Sequence, residues 1–149
     1  KLAAAKIAAW SGVRAVIAAA ALPDVLPRAV AGEAVGTVVR ARAKRLGSRK
    51  LWIAFAQGAH GRLLVDDGAR RALVESGRSL LPAGIRAVEG SFDADDAVEV
   101  IGPDGRPFAK GLVRYSSVAL AELAGSRTSD LPDGSPHEVI HRDDLVVLP

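Results

Sequence analysis

The chain has no cysteine. That excludes a disulfide framework, a thiolate nucleophile and any cysteine-ligated metal, and an intracellular, cytoplasmic setting fits the absence. Methionine is missing too, and aromatic residues make up only 4% of the 149: three Phe, two Trp and one Tyr. An extended surface for stacking bases is hard to build from so few rings. Long apolar runs are also lacking. The alanine-rich N-terminal stretch is broken by Arg14 and Pro23, so no membrane partner, membrane span or signal peptide is expected. With no initiator methionine and a first residue, Lys1, already inside an amphipathic pattern, the chain is expected to be a piece of a longer protein.

What is present is globular: 49% hydrophobic and 25% charged residues, enough to bury a core. The net charge of +3 hides an asymmetry. Residues 1–50 hold ten Lys and Arg against Asp24 and Glu33, a balance of +8, whereas residues 51–149 hold ten against fifteen acids, a balance of −5. The basicity, which matters for any polyanionic partner, belongs to the first third. Its densest part, Arg40 to Lys50, has six cations and no acid around Gly47 and Ser48. It reads as a solvated linker, with an anion-binding or interdomain contact as the alternative.

Along the chain, Lys1 to Trp10 reads as a helix ending at Ser11-Gly12, and Val13 to Ala18 and Val35 to Val39 read as strands flanking a short helix over Pro23 to Ala31. Strands separated by helices suggest a parallel α/β sheet, but two strands are too few to stand alone. From Leu51 the texture changes to short strands and tight turns. Strands are expected over Leu51 to Phe55, Arg62 to Val65, Val98 to Ile101, Pro107 to Tyr115 and Asp144 to Leu148. Asp66-Asp67-Gly68 offers an N-cap for a helix over Ala69 to Ser76, with Gly77 as its stop. "GPDG" at Gly102 to Gly105 is a turn. A last helix, Val118 to Ala124, is expected to be capped by Ser117 and stopped by Gly125. Pro82-Ala83-Gly84 turns the chain so that Ile85 to Val88 can return extended.

The run "DDGARRALVESGRSLLPAGIRAVEGSF", followed by "AVEV", "GRPFAKGLVRYSS" and "HRDDLVVL", resembles the C-terminal PUA domain of the bacterial glutamate 5-kinase family. The preceding "KLAAAKIAAWSGVRAVIA" and "GEAVGT" resemble the end of that family's amino-acid kinase domain. The resemblance implies an α+β chain: a PUA-type β pseudo-barrel with short helices over residues 46–149, preceded over residues 1–45 by a truncated α/β remnant of the kinase sheet and its basic linker. It implies a parent enzyme that uses ATP and magnesium to phosphorylate the side-chain carboxylate of L-glutamate, a step of proline biosynthesis. Lys1 matches the family's lysine that contacts ATP phosphates. Nothing else catalytic carries over, so these residues alone are expected to be inactive and to bind neither ATP nor magnesium. The implied partner is the rest of the amino-acid kinase domain, and a homo-oligomer is compatible with it. The chain departs from the family pattern at Ala20, where glycine is usual, and at Asp95-Asp96, where Gly-Asp is usual.

Three constellations compete with this reading. His137 to His141, "HEVIH", matches a zinc-protease pattern that needs both histidines on one helical face. Pro136 ahead of it and Val139-Ile140 within it favour a strand, where positions i and i+4 lie about 13 Å apart, so no metal site is expected. The acid pairs at Asp66, Asp95 and Asp143 sit where caps and turns want short polar side chains. Arg114 and Tyr115, close together in "GLVRYSS", are the candidate RNA-binding residues. Packing and a strand-end ion pair are their alternative use, while Trp52 and Phe55 are expected in the core.

Overall fold

The computed structural model describes residues 1–148, and the chain forms two compact units, Lys1–Leu51 and Trp52–Pro149. The first is built on helix α1 (Leu2–Trp10), strand β1 (Ala15–Ile17), helix α2 (Val25–Val30) and strand β2 (Thr37–Val39). Ala5, Ala9 and Trp10 turn the buried side of α1 inward, and the helix packs on both strands. The guanidinium of Arg42 lies 4.1 Å from the Trp10 ring centroid, a cation–π contact within the unit.

The expectation of parallel strands is overturned: β1 and β2 pair antiparallel, with Val16 opposite Val38. The physical reason lies in α2. A crossover helix returns the chain in parallel by burying one face on the sheet, whereas α2 has six residues and buries none.

Helix α3 (Ser48–Phe55) replaces the strand expected over Leu51 to Phe55. Five consecutive apolar residues including Trp, Ile and Phe carry strand propensity, but only Ile53 among them is buried. The N–H groups of Ala56 and Gln57 both donate to the Trp52 carbonyl, closing the last turn. Trp52, expected in the core, is 45% exposed.

The second unit is a five-stranded mixed sheet with helices against it, so the α+β expectation holds. Its strands are β3 (Gly61–Val65), β4 (Ile85–Gly90), β5 (Ala97–Ile101), β6 (Pro107–Leu112) and β7 (Leu145–Val147). They lie in the order β4-β3-β5-β6-β7, with β3 and β5 parallel and the other neighbours antiparallel. Alternation sets the faces: Leu63 and Val65 of β3 point inward, as do Val98 and Val100 of β5. Helices α4 (Asp67–Ser76) and α5 (Ser117–Leu123) each add one fully buried leucine, Leu73 and Leu120. Burying each such side chain stabilises the fold by about 1.5–3 kcal/mol.

The helix ends follow short polar residues. Asp66 caps α4 by accepting from the Ala69 N–H at 2.7 Å, and Gly77 ends it with φ of 58°. For α5 the cap is Ser116, one residue before the expected Ser117: Ser116 Oγ accepts from the Ala119 N–H, while Ser117 Oγ accepts from the Phe92 N–H. Two adjacent serines cannot be told apart by composition, and here the second is taken by a tertiary contact.

Candidate functional site

Lys1 is exposed at the start of α1 and its side chain makes no capping hydrogen bond. With Ala4, Ala5 and residues 15–18 it lines a recess of about 390 Å³. That recess supplies one cation for a phosphate and no carboxylate for a divalent metal. By itself it does not fit a magnesium nucleotide, which needs carboxylate or equivalent oxygen ligands as well as a phosphate-binding cation.

Arg114 and Tyr115 leave β6 in different directions. The Arg114 guanidinium lies 3.5 Å from the Glu138 carboxylate, and its main-chain N–H donates to the Val139 carbonyl. Tyr115 belongs to the core, 8% exposed, and its hydroxyl donates to the Pro136 carbonyl. Burial pushes the phenol pKa up, against a hydrogen bond with Ser135 that acts the other way. An aromatic ring in this position offers no face to a base.

The segment from His137 to His141 is neither the helix a zinc site requires nor the expected strand. Its one sheet-like feature is an isolated bridge between Ile140 and Leu80. His141 begins a 3₁₀ turn (Arg142–Asp144), its Nδ1 accepting from the Asp143 N–H. The strand signal in Val139-Ile140 came from burial: both side chains are fully enclosed. Among the described residues no group of three or more His, Asp or Glu could hold a metal ion.

Two of the acid pairs serve caps and turns. Asp66 is the α4 cap and lies 3.4 Å from Arg86. Asp96 accepts from the Asp93 N–H at 2.9 Å, closing a turn in which Asp95 adopts φ of 72°. The family's usual glycine at this point matches the left-handed backbone found there.

One feature of the second unit escaped the motifs. A cleft of about 690 Å³ opens between α4, the turn through Ser79 to Gly84 and the segment from Glu138 to Arg142. Its lining includes the apolar Ala69, Ala72, Leu73 and Leu80, with Arg78 and Arg142 as the basic residues. Gly84 lets the walls meet: a Cβ there would lie 2.5 Å from the Ala69 Cβ. No local pattern marks such a site, because its walls come from segments some sixty residues apart that meet at the Leu80–Ile140 bridge and the Arg142–Ser79 hydrogen bond.

Comparison with known proteins follows this architecture. The PUA domain family model matches residues 61–134, and the second unit is a PUA domain. The chain as a whole is similar to glutamate 5-kinases, and the resemblance read from its motifs is borne out. The enzyme from Caldanaerobacter subterraneus subsp. tengcongensis is 47% identical over 152 residues, covering 99% of this chain and 41% of the relative. That from Deinococcus radiodurans is 46% identical, covering 99% and 42%. The chain thus spans about two fifths of the length of the curated relatives it matches. A crystal structure of a PUA domain from Aeropyrum pernix K1, a tartrate complex, is 28% identical with a TM-score of 0.44, covering 62% of this chain and 48% of that one. Among the described residues no helix is long and apolar enough to cross a membrane.

Proposed function

We propose that these residues are the accessory region of a cytoplasmic glutamate 5-kinase, an enzyme that transfers the γ-phosphoryl group of ATP to the side-chain carboxylate of L-glutamate in proline biosynthesis. The observation that carries the reading is the similarity to glutamate 5-kinases over 99% of the chain, which takes in both units. In this reading Lys1 is one of the contacts to the ATP phosphates, a mobile point charge able to follow charge developing on the transferred group. The glutamate site, the magnesium ligands and the remaining phosphate contacts belong to the rest of the amino-acid kinase domain. That domain would also cover apolar side chains left in water on the first unit, among them Leu2 at 76%, Leu26 at 76% and Val30 at 85% exposure.

Taken alone, the 149 residues are expected to be inactive, since phosphoryl transfer is almost wholly positioning and charge stabilisation and most of that machinery is elsewhere. RNA recognition by the PUA domain is the weaker reading: Tyr115 is enclosed, and residues 51–149 carry a balance of −5. The test is glutamate- and ATP-dependent formation of acyl phosphate, trapped with hydroxylamine. The chain alone should give none. Fused to the remaining domain of the Caldanaerobacter relative it should be active, with Lys1→Met in the fusion lowering kcat/KM for ATP by about tenfold or more. Turnover by the chain alone, or a fusion indifferent to Lys1→Met, would overturn the corresponding part of the reading.

A further inference from the structure

Residues 40–47 join β2 to α3, and four of them are cations: Arg40, Arg42, Lys44 and Arg45. All four are exposed, and among the described residues none of them is in an ion pair. No acidic residue stands between Glu33 and Asp66 in the sequence, and Glu33 is held by Arg28 at 2.7 Å. The first unit as a whole sets ten Lys and Arg against Asp24 and Glu33. Nothing nearby in the chain cancels the charge of the segment.

The segment is also anchored. The Arg42 N–H donates to the Ala9 carbonyl at 3.0 Å and the Leu46 N–H to the Trp10 carbonyl at 2.9 Å, so the end of α1 holds it at two points. The Arg42 guanidinium lies over the Trp10 ring, and the Arg45 Cβ comes within 3.3 Å of where a Cβ on Gly12 would stand. The dipole of α1 favours cations at this end by about 0.3–1 kcal/mol each, a weak attraction that leaves their charge in water. An anchored array spares a partner part of the cost of ordering its site. Arg40 and Arg45 are separated by at most about 18 Å of extended backbone.

We propose that Arg40, Arg42, Lys44 and Arg45 bind the phosphate backbone of duplex nucleic acid without regard to base sequence. A duplex carries one charge per about 1.7 Å of its axis, so it meets several of these cations at once, whereas a small anion meets one or two. Arginine and lysine contacts to phosphate fix position and carry no sequence information. Stacking of unpaired bases is not supplied: Trp10, the ring beside the segment, is 5% exposed and has Arg42 over it. A membrane surface fits less well. The one large apolar residue of the segment, Leu46, is half-buried, and interfacial binding needs such residues free to insert. The surface lies within the first unit and does not rest on the kinase reading, so acyl phosphate formation and duplex binding can fail separately.

The probe is a fluorescein-labelled DNA duplex of about 20 base pairs, titrated with the 149-residue chain at several NaCl concentrations while anisotropy is followed. Four phosphate contacts should give a slope of log K against log [NaCl] of about −3 to −4, with a Kd on the order of 10 μM near about 50 mM salt. A duplex of unrelated sequence should bind within about twofold. The triple variant Arg40→Gln, Lys44→Gln, Arg45→Gln changes exposed side chains and should bring the slope to about −1 and weaken binding by about tenfold or more. The variant Arg40→Lys, Arg45→Lys keeps the charge and should bind like the native chain. Arg78→Gln, which removes an exposed cation of the second unit, should change neither quantity. A slope near zero, an equal loss with Arg78→Gln, or a preference of about tenfold or more for one sequence would overturn the proposal. So would phosphatidylserine vesicles that retain the chain at about 150 mM NaCl and are not displaced by excess duplex, which would assign the surface to lipid.

Discussion

The ammonium of Lys110 donates to the main-chain carbonyl of Gln57, fifty-three residues earlier, from the interior of the PUA domain. Lys110 is 8% exposed, the one charged side chain among the buried residues described. It stands in β6 directly opposite Glu99 of β5, and Glu99 in turn lies 3.3 Å from Arg62 of β3. The row Arg62–Glu99–Lys110 thus crosses three strands, and its buried end ties the sheet to Gln57, two residues beyond α3.

Burial lowers the Lys110 pKa below the ordinary lysine value of 10.5, and the Glu99 carboxylate opposes that shift. A base whose folded pKa is lowered gives up its proton more readily in the fold than in the unfolded chain. Between the folded value and 10.5 the unfolded state therefore holds more protons, and stability rises with pH. The expected outcome is that the native chain gains on Lys110→Met as pH climbs from about 7 towards about 10. Urea midpoints of the two proteins, taken at steps across that interval, measure it. A flat difference would mean that the ammonium is hydrated in solution.

Tyr115, also buried, is the counterpart with the opposite sign. Removing its hydroxyl in Tyr115→Phe leaves the Pro136 carbonyl without its donor, at a cost of about 1 kcal/mol near neutral pH. Its phenol pKa is raised above 10.0, chiefly by burial. Above that value the unfolded chain ionises first, so the native protein loses stability as pH rises while Tyr115→Phe does not. The gap between the two should narrow at alkaline pH. A gap that stays constant, followed by chemical denaturation at each pH, would show that the ring is not enclosed.

Much of the PUA domain was legible from short-range chemistry. Asp66 as cap, Gly77 as stop, the Gly102–Gly105 turn and the Pro82–Gly84 reversal are each dictated by the backbone demands of a few neighbouring residues. What was not legible depends on partners far along the chain. The segment from Leu51 to Phe55 has strand composition but folds as a helix in which only Ile53 is buried. The direction of β2 relative to β1 depends on where α2 packs, which composition does not reveal. The cleft arises from the meeting of Leu80 and Ile140. Lys110 reads locally as an ordinary solvent-facing strand residue.

Asp95 marks a departure from the family pattern that can be read as strain. Its φ of 72° places a non-glycine residue in the left-handed region, where a Cβ costs energy that aspartate only partly recovers through local hydrogen bonds. Asp95→Gly should therefore stabilise the native chain by about 0.5–1 kcal/mol, the conformational gain being reduced by the greater freedom of glycine in the unfolded state. A raised urea midpoint with unchanged slope is the expected result. A lowered midpoint would mean that the Asp95 side chain contributes more than its backbone costs.

Gly111 limits how closely the final segment can pack. It lies in β6 opposite Leu145 of β7, and a Cβ added there would sit 2.6 Å from Ile140 Cγ2 and 2.8 Å from the Asp144 carbonyl oxygen. The second contact is with main chain, so no rotamer change relieves it. Gly111→Ala should push the 3₁₀ turn at Arg142–Asp144 away from the sheet and cost about 1–3 kcal/mol, the usual range for overpacking. Because Ile140 also forms the bridge to Leu80, the damage should spread to the cleft. Amide exchange is expected to accelerate at Leu80 and Val139 as well as at Leu145. Faster exchange confined to β7, with Leu80 still protected, would mean that the bridge holds independently of the Gly111 contact.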